Sequence, residues 1–208
     1  GLVLLMAAPA LAQDSFQTTV RNAILLDLGT ESVLFEKAAD EPQAPASLAK
    51  LMTLAVIFEE MRQGRLQADQ EIVISQDAWR RGGAPSRTSS MYAAVNSRVK
   101  LQDLLRGAIV QSGNDAAIAL AEAVSGTETN FIEVMNRRAQ AIGLRQSVFR
   151  NATGLPDPEQ RMTAREVARL ADHIIRTYPE HYPIYAEREF TWGGIRQQNR
   201  NPLLGTYP

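Results

Sequence analysis

Ser47 stands three residues before Lys50 in Pro45-Ala46-Ser47-Leu48-Ala49-Lys50, and Ser112-Gly113-Asn114 follows farther along the chain. A serine hydroxyl is a poor nucleophile at neutral pH and needs an uncharged base within hydrogen-bond reach. Residues three apart on a helix share a face, which sets the Lys50 amine beside the Ser47 hydroxyl. A lysine desolvated in a cleft, or placed beside another cation, gives up its proton far more readily than one in water. The pattern therefore suits serine acyl transfer run without histidine. Ser47 in the first turn of a helix would also turn an unpaired backbone N–H and the positive end of the helix dipole toward a developing oxyanion. Ser112 carries a hydroxyl that donates and accepts, so it can pass a proton between Lys50 and a leaving amine. Asn114 has both polarities on one amide, which suits it to orienting a peptide bond and holding the lysine, and Gly113 allows a sharp turn between the two.

The elements that must position these residues are legible. Ala23 to Asp27 and Ser32 to Phe35 flank Gly29-Thr30 as a β-hairpin. A proline-bearing loop, Asp40 to Ala46, leads to Ser47, after which Leu51, Leu54, Ala55, Phe58 and Met61 recur at helical spacing until Gly64. Glu71 to Ser75 reads as a short strand and Gly82 to Ser90 as a loop. Leu101 to Val110 and Asp115 to Val124 read as helices, so Ser112-Gly113-Asn114 lies in the tight connection between them. Phe131 to Ile142 is a further helix closed by Gly143. Thr163 and Glu166 form a capping box before a helix that runs to about Thr177, ended by Tyr178-Pro179. Glu189 to Trp192 and Ile195 to Gln198 flank Gly193-Gly194, a two-residue hairpin signal.

Neither half of the pattern is specific by itself. Ser47 and Lys50 alone read equally well as an N-cap serine with a solvated lysine, and Ser112-Gly113-Asn114 alone as a plain turn. Ser97-Arg98-Val99-Lys100 repeats the serine-to-lysine spacing with no helix starting at Ser97, and reads as surface. The order and placement of both parts together carry the weight.

Composition narrows the rest. The 208 residues, 45% hydrophobic and 22% charged, suit one globular domain with a sizeable core. With 22 basic and 23 acidic residues the net charge is −1, which leaves no electrostatic footprint for nucleic acid. The absence of cysteine excludes disulfides, thiolate metal sites and a cysteine nucleophile together. His173 and His181 are dispersed and read as structural or surface residues, so no metal and no cofactor is expected. Trp79, Trp192 and Tyr92 read as core or cleft wall. The apolar run Gly1 to Ala8 leading into Ala10-Leu11-Ala12 reads as the remnant of a signal peptide, residues 1–12, cleaved after Ala12, which places the chain on the export route.

The stretch Pro45 to Lys50, with Leu105-Arg106-Gly107 through Gln111-Ser112-Gly113-Asn114-Asp115-Ala116, resembles the low-molecular-mass penicillin-binding, serine-type D-alanyl-D-alanine carboxypeptidases, peptidase family S11. Met135-Asn136, Ala141 to Leu144, Gly154-Leu155 and Gly194 to Asn201 extend the resemblance over nearly the whole of residues 13–208. It implies an α/β chain of the α+β type with the β-lactamase/transpeptidase-like fold: an antiparallel sheet flanked by helices, an all-helical lobe, and a cleft between them. It implies Ser47 as the acylated nucleophile, Lys50 as its base, Ser112 as proton relay, and Asn114 and Arg200 as substrate-binding residues. The substrate would be the terminal D-Ala-D-Ala bond of a peptidoglycan pentapeptide, and β-lactam antibiotics would acylate the same serine at the periplasmic or cell-envelope face of the membrane. The family's third motif, Lys-Thr-Gly, is absent from residues 1–208, so the catalytic domain is expected to be incomplete, truncated at the C-terminus and inactive alone. The family's C-terminal β-rich domain and amphipathic anchor, through which membrane association would run, are absent as well. Three other readings share the residues: a D,D-endopeptidase, a β-lactamase using Glu159 or Glu166 for deacylation, and a non-catalytic peptidoglycan-binding relative.

Overall fold

A computed structural model of the chain describes residues 16–206, so the expected signal segment at 1–12 lies outside the described residues. The first hairpin pairs β1 (Ala23–Asp27) with β2 (Ser32–Lys37) around a turn in which Asp27 Oδ1 accepts from the Gly29 and Thr30 amides at 2.8 and 2.9 Å. A 3-10 turn, Ala46–Ala49, then runs into α1 (Lys50–Arg62). Every residue of α1 from Met52 to Glu59 is buried, as expected of a helix that is apolar nearly all round.

Beyond it, β3 (Glu71–Val73) leads to α2 (Gln76–Gly82), a helix the hydrophobic pattern did not reveal because seven residues are too few to show a period. Its start is chemical: Ser75 Oγ accepts from the Ala78 amide at 2.9 Å. The loop reading of Gly82 to Ser90 therefore begins one residue early. β4 (Arg98–Lys100) pairs antiparallel with β3, Glu71 opposite Lys100. That strand disposes of the second serine-to-lysine spacing. Lys100 lies on the strand and Ser97 just before it, so no helix sets the two side chains on one face, and Ser97 Oγ donates to the Ala94 carbonyl at 2.6 Å.

The helical lobe follows: α3 (Leu101–Val110), α4 (Asn114–Ser125), α5 (Glu128–Ala141) and α6 (Ala164–Thr177). α4 is the central helix. Its residues Asn114 to Ala121 are all buried, and its alanines let α2, α3 and α5 pack against it closely. α6 is the opposite case, burying Glu166, Leu170 and Ile174 at four-residue spacing and leaving Arg169 and Arg176 toward solvent.

The expected capping box is half present. Thr163 Oγ1 accepts from the Glu166 amide at 3.1 Å, but the Glu166 carboxylate turns away to accept from the Gln146 amide at 2.9 Å and the Ser147 hydroxyl at 2.6 Å. A buried carboxylate takes the strongest donors within reach, and these lie on the neighbouring loop. Thr163→Ala removes only the cap, and is expected to cost about 1 kcal/mol, seen as a fall of roughly 2–4 °C in the thermal midpoint followed by circular dichroism.

The chain closes with the hairpin of β5 (Glu189–Trp192) and β6 (Ile195–Gln198) at Gly193-Gly194. Antiparallel pairing beside a helical lobe is the expected α+β class. Among the described residues the pairing takes the form of three separate two-stranded ladders. Both histidines have structural surroundings: His173 Nδ1 lies 3.2 Å from Thr177 Oγ1, and the His181 ring stacks on Phe58 with centroids 4.7 Å apart. Among the described residues no helix is long and apolar enough to cross a membrane.

Candidate active site

In a 3-10 turn, residues three apart eclipse one another, so the step from Ala46–Ala49 into α1 stacks Lys50 over Ser47 more directly than an α-helix would. Lys50 Nζ lies 3.5 Å from Ser47 Oγ. On its other side it donates to the Thr153 carbonyl at 2.6 Å. The lysine is 3% exposed. Burial pulls its pKa from 10.5 to about 8, the positive charge of Arg200 pushes the same way, and Asp115 opposes both.

Both residues open onto a cleft of about 530 Å³ whose polar lining includes Ser47, Lys50, Ser112, Asn199 and Arg200, with Leu51, Ile174 and Tyr185 among its apolar wall. The Ser112 hydroxyl is buried without a partner, and so is the Tyr185 hydroxyl. Arg200 is tied to the same region by its amide, which donates to the Val110 carbonyl at the end of α3 at 3.0 Å. Four of the five residues singled out in the sequence thus share one cleft.

Asn114 does not line it. The residue is the first of α4, 4% exposed, with its amide nitrogen donating to Thr88 Oγ1 at 2.9 Å and its backbone N–H to the Ser89 carbonyl at 2.8 Å. The turn before it also departs from expectation. Ser112, not Gly113, takes the left-handed conformation, with φ 61° against −61° for Gly113. Gly113 is required for room: a Cβ there would sit 3.0 Å from the Met91 amide nitrogen and from the Asp115 carboxylate. A non-glycine residue held in this region, with its hydroxyl orphaned, marks a position where the surroundings override local preference.

The residues that hold the site were not singled out in the sequence. Asp115 is fully buried and accepts from the Met91 and Ala93 amides at 2.9 and 3.1 Å and from the Ser90 hydroxyl at 2.8 Å, pinning residues 90–93 to α4. Thr53 Oγ1, one turn beyond Lys50, donates to the Ala152 carbonyl at 2.8 Å. Asn151 Oδ1 accepts from the Thr153 and Gly154 amides at 3.2 and 2.7 Å, shaping the turn that presents the Thr153 carbonyl. A lone threonine in an otherwise apolar helix, and charged residues in the first turns of buried helices, were the available signals.

Neither glutamate proposed for deacylation reaches the cleft lining. Glu166 is committed to the 146–147 loop, and Glu159 pairs with Arg150 at 3.0 Å on the surface.

Residues 8–208 match the family model described as D-alanyl-D-alanine carboxypeptidase, peptidase S11. The chain is 42% identical over 188 residues to the D-alanyl-D-alanine carboxypeptidase DacA of Haemophilus influenzae, covering 90% of this chain and 47% of that protein. It is 42% identical to DacC of Escherichia coli over 88% of this chain and 46% of the relative. It spans about half the length of these curated relatives. Among solved structures it resembles penicillin-binding protein 5 from Haemophilus influenzae with a TM-score of 0.89 at 40% identity, over 93% of this chain and 56% of that one. It also resembles the ampicillin-bound form of penicillin-binding protein D2 from Listeria monocytogenes, TM-score 0.80 at 25% identity, over 94% of this chain and 78% of that one.

Proposed function

The chain belongs to the D-alanyl-D-alanine carboxypeptidase family, peptidase S11, and on that premise we propose that it carries the acylation half-site of a serine enzyme acting on the D-Ala-D-Ala end of peptidoglycan stem peptides. One observation carries the reading: a buried lysine amine, with its pKa drawn down to about 8, lies between Ser47 Oγ and the Thr153 carbonyl at the edge of a cleft.

Lys50 in its neutral form takes the proton as Ser47 Oγ attacks the carbonyl carbon between the two D-alanines. The Ser47 amide belongs to the first turn of its helix, where N–H groups have no partner within the helix, and it faces the oxyanion that forms. The C–N bond then breaks, and the leaving amine receives the proton from Lys50 through the Ser112 hydroxyl, which no protein group engages. Water attacks the resulting ester, gives one proton to Lys50, and the proton returns to Ser47 Oγ as the shortened peptide leaves. Arg200 adds positive charge to the cleft, which favours the neutral lysine and suits a substrate carboxylate. Asn114, buried two residues beyond Ser112, serves the site by holding the 88–89 segment through its side-chain and backbone N–H groups. β-Lactams acylate Ser47 in place of the peptide, as the ampicillin-bound Listeria relative suggests. Action on peptidoglycan calls for a location outside the cytoplasmic membrane, in keeping with the apolar run Gly1 to Ala8.

Incubation of the full-length protein with a fluorescent penicillin, followed by peptide mapping, should place the label on Ser47. A folded protein that takes no label, or is labelled at another residue, overturns the reading.

A further inference from the structure

A strap of backbone, residues 151–154, holds Lys50 from the side away from Ser47. Lys50 Nζ donates to Thr153 O and Thr53 Oγ1 donates to Ala152 O, so two successive carbonyls of the strap are bound to two side chains of α1. A carboxylate on a different helix fixes the strap in turn. Glu128 Oε1 accepts from the Ala152 amide at 2.8 Å, while Oε2 pairs with Arg81 at 2.6 Å. Glu128 is 6% exposed and stands in the first turn of α5, where its charge is favoured by the helix dipole. It does not line the cleft, so it touches no reacting atom.

A buried carboxylate persists only where strong donors satisfy it, and this one is satisfied by one guanidinium and one backbone N–H. That N–H belongs to the residue preceding the carbonyl on which the lysine amine rests. A neutral amine has two N–H groups and one lone pair. With one N–H fixed on Thr153 O, rotation about the last bond of the side chain is restricted, and the lone pair can be kept toward Ser47.

We infer that Glu128 is a positioning residue of the acyl-transfer centre, acting through the Ala152–Thr153 backbone to aim the Lys50 amine at Ser47. The inference rests on the acylation chemistry proposed above. Glu128→Ala frees the Ala152 amide and lets the Thr153 carbonyl drift, and a displacement near 1 Å at a reacting group lowers rates by up to about a hundredfold. Glu128→Gln keeps an oxygen that can accept from Ala152.

The test uses full-length protein and benzylpenicillin, with pre-acylation binding resolved from the acylation rate constant at a temperature well below each variant's melting midpoint. Glu128→Ala is expected to lower the acylation constant roughly thirtyfold with binding within about twofold of the unsubstituted protein, and Glu128→Gln to recover it to within about threefold. An unchanged acylation constant in folded Glu128→Ala, or a glutamine variant no better than the alanine one, overturns the inference while leaving the proposed function standing. If Glu128→Ala does not fold, Glu128→Asp decides the matter by drawing the carboxylate back from the Ala152 amide: a lowered acylation constant at unchanged binding supports the inference, and an unchanged one overturns it. Failure of the unsubstituted protein to acylate overturns the proposed function, and the positioning role with it.

Discussion

Lys50→Met is expected to lower the rate constant for acylation of Ser47 by about a thousandfold, the scale of a lost general base, while the chain remains folded. Methionine fills nearly the same volume and leaves no charge behind. The Thr153 carbonyl loses its donor, which costs about 1–3 kcal/mol and is tolerable in a domain of this size. The pH profile separates the base role from a packing role. Burial and the charge of Arg200 draw the Lys50 ammonium from 10.5 to about 8, so acylation of the unsubstituted protein should rise with pH and level off above about 8. The residual rate of Lys50→Met should lack that limb. The same shift has a consequence for stability. Between about 8 and 10.5 the unfolded chain holds the lysine proton and the folded one has released it, so this group makes the fold more stable as pH rises through that window, and its cost is fully present below it. Stopped-flow acylation across pH, with urea unfolding at pH 7 and 10, checks both. A sloping profile in Lys50→Met would assign the limb to another group.

Gly154→Val is expected to be the most damaging single substitution in the strap, at about 4 kcal/mol or more, lowering the melting midpoint by about 10 °C. Gly154 has φ 84°, a region costly for a β-branched residue, and a Cβ there would overlap the Ala46 carbonyl and lie 2.9 Å from the Ser47 amide nitrogen. These are backbone atoms of the turn that carries the nucleophile, and they cannot give way as a side-chain tip can. Gly143→Ala is the control. Its φ is also 84° but nothing lies within 4 Å of the added carbon, so only the backbone preference is lost, about 1 kcal/mol. Differential scanning calorimetry on the two variants separates conformational strain from steric overlap. Equal losses would mean that the approach of residue 154 to the 46–47 turn is not what the glycine is for.

Much of the architecture was readable before any coordinates. Leu101–Val110 coincides with α3 because a ten-residue helix between polar flanks shows its period plainly, and both hairpins lie where turn residues separate β-prone runs. The missed helix α2 and the half-used capping box have a common reason. Short elements and side-chain hydrogen bonds depend on which donors the tertiary structure brings near, and Glu166 found better ones in the loop at 146–147 than in its own helix. The site divides the same way. Ser47, Lys50 and Ser112 were found because their chemistry demands those types in that order, whereas Asp115 and Glu128 act on backbone groups 24 residues away, and a charge in the first turn of a helix does not say which distant backbone it will meet.

Sequence alone determined which groups could react: a hydroxyl and an amine three residues apart at the head of an apolar helix, and a second hydroxyl before a buried one. Only the tertiary structure decided that they can work together. It removed Lys50 from water, set Arg200 near it, left the Ser112 hydroxyl unpartnered, tied Asn114 to Thr88 and laid a carbonyl from residue 153 against the amine of residue 50. The reason is physical. Residue type sets what a group can donate or accept, but proton affinity and aim depend on burial, neighbouring charge and contacts across a hundred residues, which come into being only when the chain packs.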